Sequence, residues 1–227
     1  MEKSLTLKTS DNHVIYGTLN SKNKSDKLVI FVHGLGGNQN EHVFFNGARF
    51  FNNNGFDTFR FDLYPGEKGR NLVDCGITTH TQDLEVVIQE FIGKYKEIYL
   101  VGHSLGGPTI LLANIENIKK IILRDSVLDT KRLYDDEIKF DKERNLYTVN
   151  WGIDIIIGEK MVKEMKSIEN LNPKLNEKYK IIYAEKTDLK NDFKANIEHT
   201  IINSSHCFNE EGIEETLFQE TLNWFLS

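Results

Sequence analysis

A serine between glycines is a candidate nucleophile when an apolar strand leads into it and a helix leads away. Gly102-His103-Ser104-Leu105-Gly106-Gly107 has that setting, with Glu97-Ile98-Tyr99-Leu100-Val101 before it and Pro108 in the first turn after it. Proline fits there because the first N–H groups of a helix have no partner within the helix. In an elbow of this kind the serine takes a strained backbone conformation, the glycines avoid collisions that a Cβ would cause, and the hydroxyl stands clear of the sheet. The Leu105 amide would then lie at a helix N-terminus, where it could hold an oxyanion. The rival reading is a glycine-rich turn that only packs a helix on a sheet, so the partners of Ser104 must decide.

A serine hydroxyl attacks poorly until a base takes its proton and a third group fixes the tautomer of that base. His206, in Asn203-Ser204-Ser205-His206-Cys207-Phe208, follows the short strand Thr200-Ile201-Ile202 and precedes the last helix. His199 competes but falls at the start of that strand, on the wrong edge of a sheet. The acid is expected at the end of the preceding strand, where Tyr183-Ala184-Glu185-Lys186-Thr187-Asp188 offers Asp188 first, with Glu185 and Asp192 behind it. A second oxyanion donor is expected at Leu35 in His33-Gly34-Leu35-Gly36-Gly37, which follows the apolar run Lys27 to Val32. A phosphate loop is the rival there, but no G-K-[ST] follows and Asn38-Gln39-Asn40 supplies no lysine.

These residues need strands whose ends meet. Leu5 to Leu7 and His13 to Leu19, split by Ser10-Asp11-Asn12, read as an opening hairpin. Apolar runs at 27–32 and 120–123 read as strands buried on both faces, and 56–61, 97–101 and 179–184 read as further strands. Helical spacing falls between them, at Phe44, Ala48 and Phe51, at Leu84, Val87, Ile88 and Phe91 after a Thr79/Gln82 capping box, and at Phe218, Leu222 and Phe225. The alternation predicts an α/β architecture, a mostly parallel sheet with helices on both faces and function at the carboxyl ends of the strands. His33, Asp62, Ser104 and Arg124-Asp125 all fall at such ends. Residues 126–176 break the rhythm, with a helix expected near Ile155 to Met165 and four aromatics, Tyr134, Phe140, Tyr147 and Trp151, that could line a pocket or dock the segment.

Composition narrows the classes. The 227 residues are 39% hydrophobic and 27% charged, as in a globular chain, and no apolar run is long enough to span a membrane. A net charge of -6 without a basic stripe argues against nucleic acid. Cys75 and Cys207 read as free thiols, and the seven histidines show no metal-ligand spacing, so neither metal nor organic cofactor is expected. The first eight residues alternate polar and apolar and lack the apolar core of a signal peptide, which leads us to expect a cytoplasmic protein.

Four features together carry a resemblance: Val32-His33-Gly34, Phe61-Asp62, Gly102 to Gly107, and Ser205-His206. On them the chain resembles an α/β-hydrolase over nearly its whole length. It is most similar to the small bacterial branch of cinnamoyl and feruloyl-type esterases, monoacylglycerol lipases and serine aminopeptidase-like hydrolases. The resemblance implies one α/β-hydrolase domain over 1–227, with 126–176 a cap-like insertion after the sixth strand. It implies Ser104 as nucleophile, His206 as base, Asp188 as acid, and the amides of Leu35 and Leu105 as oxyanion hole. The expected activity is that of a carboxylesterase on small or medium acyl esters. A peptidase or amidase, and a non-catalytic binder on the same fold, stand as alternatives. Two departures are visible: Ala184 where relatives usually have Gly, and Leu63-Tyr64-Pro65-Gly66 after Asp62 where an Arg-Gly pair is common.

Overall fold

The computed structural model describes residues 1–22, 25–64, 67–131, 138–150 and 154–227. In chain order, β1 (Glu2–Lys8) and β2 (Val14–Asn20) form an antiparallel hairpin, then come β3 (Lys27–Val32), α1 (His42–Asn53), β4 (Asp57–Phe61) and α2 (Ile77–Phe91). Next are β5 (Glu97–His103), α3 (Gly106–Leu112), β6 (Lys120–Arg124), and three short strands, β7 (Ile138–Asp141), β8 (Leu146–Asn150) and β9 (Asp154–Ile157). The chain finishes with α4 (Glu159–Ser167), β10 (Tyr179–Ala184), β11 (His199–Ile202) and α5 (Ile213–Leu226).

Eight strands make the main sheet, in the order β1-β2-β4-β3-β5-β6-β10-β11, and only β2 runs against the others. The central strands are buried along their length because both faces are covered, and successive side chains go to opposite faces. In β3, Leu28, Ile30 and Val32 join the core under α2 and α3, while Val29 and Phe31 join the core under α1 and α5. The second of these cores is dense in rings: Phe44, Phe51, Phe56, Phe218 and Phe225 are all buried there. Burial of each such side chain stabilises by roughly 1.5–3 kcal/mol.

Two expectations about local structure need correction. α2 starts at Ile77, and Thr79 is its third helical residue rather than its cap, since the Thr79 hydroxyl accepts from the Gly76 N–H. Residues 126–176 hold more strand than their polarity suggests. β7, β8 and β9 form a separate antiparallel sheet, so Ile155 lies in a strand and the helix begins only at Glu159. These strands are short and half-exposed, which gives them no continuous apolar run to read. Among the described residues, no helix is long and apolar enough to cross a membrane.

Candidate active site

Ser104 stands at the end of β5 with φ of 52°, the left-handed region that costs a residue with a Cβ free energy. The turn is enforced by packing that only glycine permits. A Cβ on Gly106 would lie 2.4 Å from the Val32 carbonyl oxygen, and one on Gly102 would lie 2.9 Å from that of Gly106. Gly106→Ala is therefore expected to destabilise by about 1–3 kcal/mol, as overpacking does, and to displace the elbow; thermal unfolding measures the first effect and the reactivity of Ser104 the second. The Ser104 N–H donates to the Arg124 carbonyl at 3.0 Å, joining the elbow to the end of β6.

That junction matters because the residue after Arg124 is the partner of His206. His206 Nδ1 lies 2.6 Å from Asp125 Oδ2. Asp125 is fully buried, and its other oxygen accepts from the Ala184 N–H at 3.1 Å and the Thr187 hydroxyl at 2.9 Å. This corrects the expectation for Asp188, which is exposed and lines the same cavity but does not hold this nitrogen. The physical reason is sheet order. β6 lies between β5 and β10, so an acid at its end is beside the nucleophile strand, and the loop after β11 passes back across β10 to bring His206 to it. Asp125 has φ of 40°, a turn in the backbone at the strand end. The sequence held a signal in Asp125 itself, a carboxylate closing an apolar strand, and in Ala184.

Ser104 and His206 line one cavity of about 600 Å³ with Gly34, Leu35, Gly36, Glu41, Val43, Val127, Ile155, Asp188 and Leu189. No hydrogen bond joins the Ser104 hydroxyl to His206 among the described residues, and such contacts commonly tighten only around bound substrate. The His103 ring packs on that of His206 at a tilt of 37° with centroids 4.6 Å apart, and its Nε2–H donates to the His206 carbonyl at 2.9 Å. Within the described residues, neither the Leu35 nor the Leu105 amide has an acceptor in the protein. Gly34 approaches so closely that a Cβ there would lie 2.9 Å from Ser104 Cβ. Asp62 secures the far end of the Gly34 loop by accepting from the Gln39 N–H and from its side-chain amide. His199 opens β11, away from Ser104, as its spacing predicts. Of the four aromatics, Phe140 and Tyr147 pack on each other with tilted rings whose centroids are 4.8 Å apart and do not line the cavity, and Tyr134 and Trp151 lie outside the described residues.

His33, His80 and His103 are all buried, and His103 lines the cavity. Burial lowers the pKa of His33 and drives those of His80 and His103 down to about 3. An unfolded histidine titrates near 6.5, so below that pH the unfolded chain binds protons that the folded chain refuses. Stability should then fall with falling pH, by about 1.4 kcal/mol per unit for each such group, between 6.5 and the folded value. His80→Met is expected to flatten this loss between pH 6.5 and 4, read from urea midpoints at each pH.

Comparison with known proteins gives the same frame. No curated protein sequence matches the chain. Est1E from Butyrivibrio proteoclasticus, solved with ferulic acid bound, is 18% identical, with 98% of this chain and 100% of that one aligned and a TM-score of 0.79. Alpha/beta hydrolase domain-containing protein 10 from mouse is 18% identical over 99% of this chain and 100% of its own, with a TM-score of 0.74. Dienelactone hydrolase from Anabaena variabilis is 17% identical over 100% and 97%, with a TM-score of 0.69. At such identities the likeness is one of fold. The family model described as alpha/beta hydrolase fold matches residues 27–171, from the first buried strand through the elbow and into the insertion, and the chain therefore belongs to the α/β-hydrolase family.

Proposed function

We propose that this protein is a carboxylesterase that cleaves small or medium acyl esters through an acyl-Ser104 intermediate, with His206 as base and Asp125 as the acid that orients it. The observation that carries the reading is the 2.6 Å contact between Asp125 and His206 Nδ1, in a cavity that Ser104 shares. A carboxylate at Nδ1 keeps the proton there and leaves the Nε2 lone pair free to take the serine proton. Ser104 Oγ then attacks the ester carbonyl, and the amides of Leu35 and Leu105 hold the tetrahedral oxyanion, worth roughly 2.7–4 kcal/mol of barrier per donor. Collapse expels the alcohol, protonated by His206, and water repeats the cycle on the acyl-serine.

The test is a p-nitrophenyl ester series from acetate to laurate, with methyl ferulate and an amino-acid anilide alongside and a fluorophosphonate probe mapped by peptide mass. Turnover with labelling at Ser104 supports the reading. An unlabelled Ser104 in folded protein overturns it, and faster anilide than ester turnover makes the enzyme an amidase.

The cavity wall adds a bias of charge. Leu35, Val43, Val127, Ile155 and Leu189 are apolar, and among its described lining residues there is no Lys or Arg, while Glu41 and Asp188 are carboxylates. Burial raises the pKa of Glu41, whose Oε1 packs over Gly37. Glu41→Gln is expected to raise kcat/KM for a succinate half-ester over a butyrate ester by about tenfold, the scale of one screened charge repulsion. Paired rate measurements on the two esters give this ratio directly.

A further inference from the structure

The loop that carries Leu35 is held by a residue far from it in sequence. Tyr64, in the segment after β4, is 5% exposed, and its hydroxyl accepts from the Gly36 N–H at 2.6 Å and donates to the Gly34 carbonyl at 3.0 Å. One oxygen thus grips the peptide units on both sides of Leu35. The Gly34 carbonyl belongs to the same peptide unit as the Leu35 N–H, and in a planar trans peptide the two point in opposite directions. Whatever fixes the carbonyl inward fixes the N–H the other way.

Three donors converge on that carbonyl oxygen. Besides the Tyr64 hydroxyl they are the Gly37 N–H at 3.2 Å and His33 Nδ1 at 2.8 Å. His33 Nε2 accepts from the Leu63 N–H at 3.0 Å, so the neutral ring must carry its proton on Nδ1 and donate it to Gly34. Tyr64 packs edge-on to His33 at 5.3 Å and lies 5.4 Å from His80, so its ring has little freedom to turn the hydroxyl away. Loops rich in glycine flip peptides readily, because glycine tolerates both signs of φ, and Gly36 already has φ of 77°. A loop of this kind needs an external clamp to keep one amide pointed at the site.

We propose that Tyr64 is a positioning residue for catalysis, whose hydroxyl locks the Gly34–Leu35 peptide in the orientation that presents the Leu35 N–H to the oxyanion. This deepens the carboxylesterase reading and rests on it. Tyr64→Phe removes only the oxygen and keeps the ring. It is expected to lower kcat for p-nitrophenyl acetate by up to about 10²-fold, the loss of one oxyanion donor, with KM nearly unchanged. A merely structural role would lower the unfolding temperature and leave that split unmoved. A second readout is the rate ratio of an ester to its thionoester, whose sulfur is a poor hydrogen-bond acceptor. The ratio should fall towards one in Tyr64→Phe and stay at the parent value in Tyr95→Phe, which loses a hydroxyl bonded to Asp57 and touches neither Tyr64 nor the loop carbonyl.

Unchanged kcat and an unchanged thionoester ratio in folded Tyr64→Phe overturn the proposal. If the parent protein hydrolyses no ester, the carboxylesterase reading fails, and the crystal structure of Tyr64→Phe decides this one separately. A reoriented Gly34 carbonyl supports the clamp, and a carbonyl in its present place overturns it.

Discussion

Asn in place of Asp125 is expected to lower kcat on a short p-nitrophenyl ester by about 10⁴-fold, the cost of presenting the wrong imidazole tautomer. The environment of the carboxylate explains why so small a change does so much. One oxygen is fixed by two donors, the Ala184 N–H and the Thr187 hydroxyl, so the amide oxygen of an Asn must stay on that side. Its NH₂ group is then turned towards His206 Nδ1, where it can only donate. The imidazole proton moves to Nε2, and the base has no lone pair for Ser104. Asp188→Asn leaves this arrangement intact and should hold kcat near the parent value. Steady-state kinetics on the pair, with circular dichroism to confirm folding, gives a direct comparison, and a reversed order of effects would return the acid role to Asp188.

Ser104→Ala should remove about 10⁶-fold of kcat, since a triad acts as a unit and loses nearly everything with its nucleophile. The backbone strain remains, because alanine also carries a Cβ at φ of 52°. Ser104→Gly would relieve that strain, and it should therefore unfold at a higher temperature than Ser104→Ala while being equally inactive. Active-site titration with a fluorophosphonate, together with scanning calorimetry of the three proteins, separates the chemical loss from the conformational gain. A Ser104→Ala protein that keeps its turnover would remove Ser104 from the chemistry altogether.

The parallel sheet was legible because burial on both faces leaves strands that are mostly apolar, and β3 and β10 have the same bounds in the structure as in the sequence. The elbow was legible because its glycines answer to contacts between neighbouring segments of chain. The carboxylate that meets His206 was harder to read. A carboxylate's role depends on which strands lie side by side, and the passage of the His206 loop over β10 is written in no local pattern. The aromatics of the insertion left two readings open for a similar reason. Phe140 is 46% exposed and packs on Tyr147, while the cavity takes Ile155 from β9 instead. Tyr64 had no signal in its own neighbourhood, since its two partners are 28 and 30 residues away.

The side chains of Leu35 and Leu105 belong to one buried cluster with Val149, Ile155, Ile157, Met161 and Met165 of the inserted sheet and helix. Leu35 lines the cavity with Ser104 and Leu105 follows Ser104 in the chain, while the side chains of both pack against the insertion. An engineer who grafts a different insertion here to change what fits the cavity would also shift the seating of both amides. On the proposed carboxylesterase reading, turnover and selectivity would then be inherited together, and a graft that keeps its speed must first rebuild the leucine sockets.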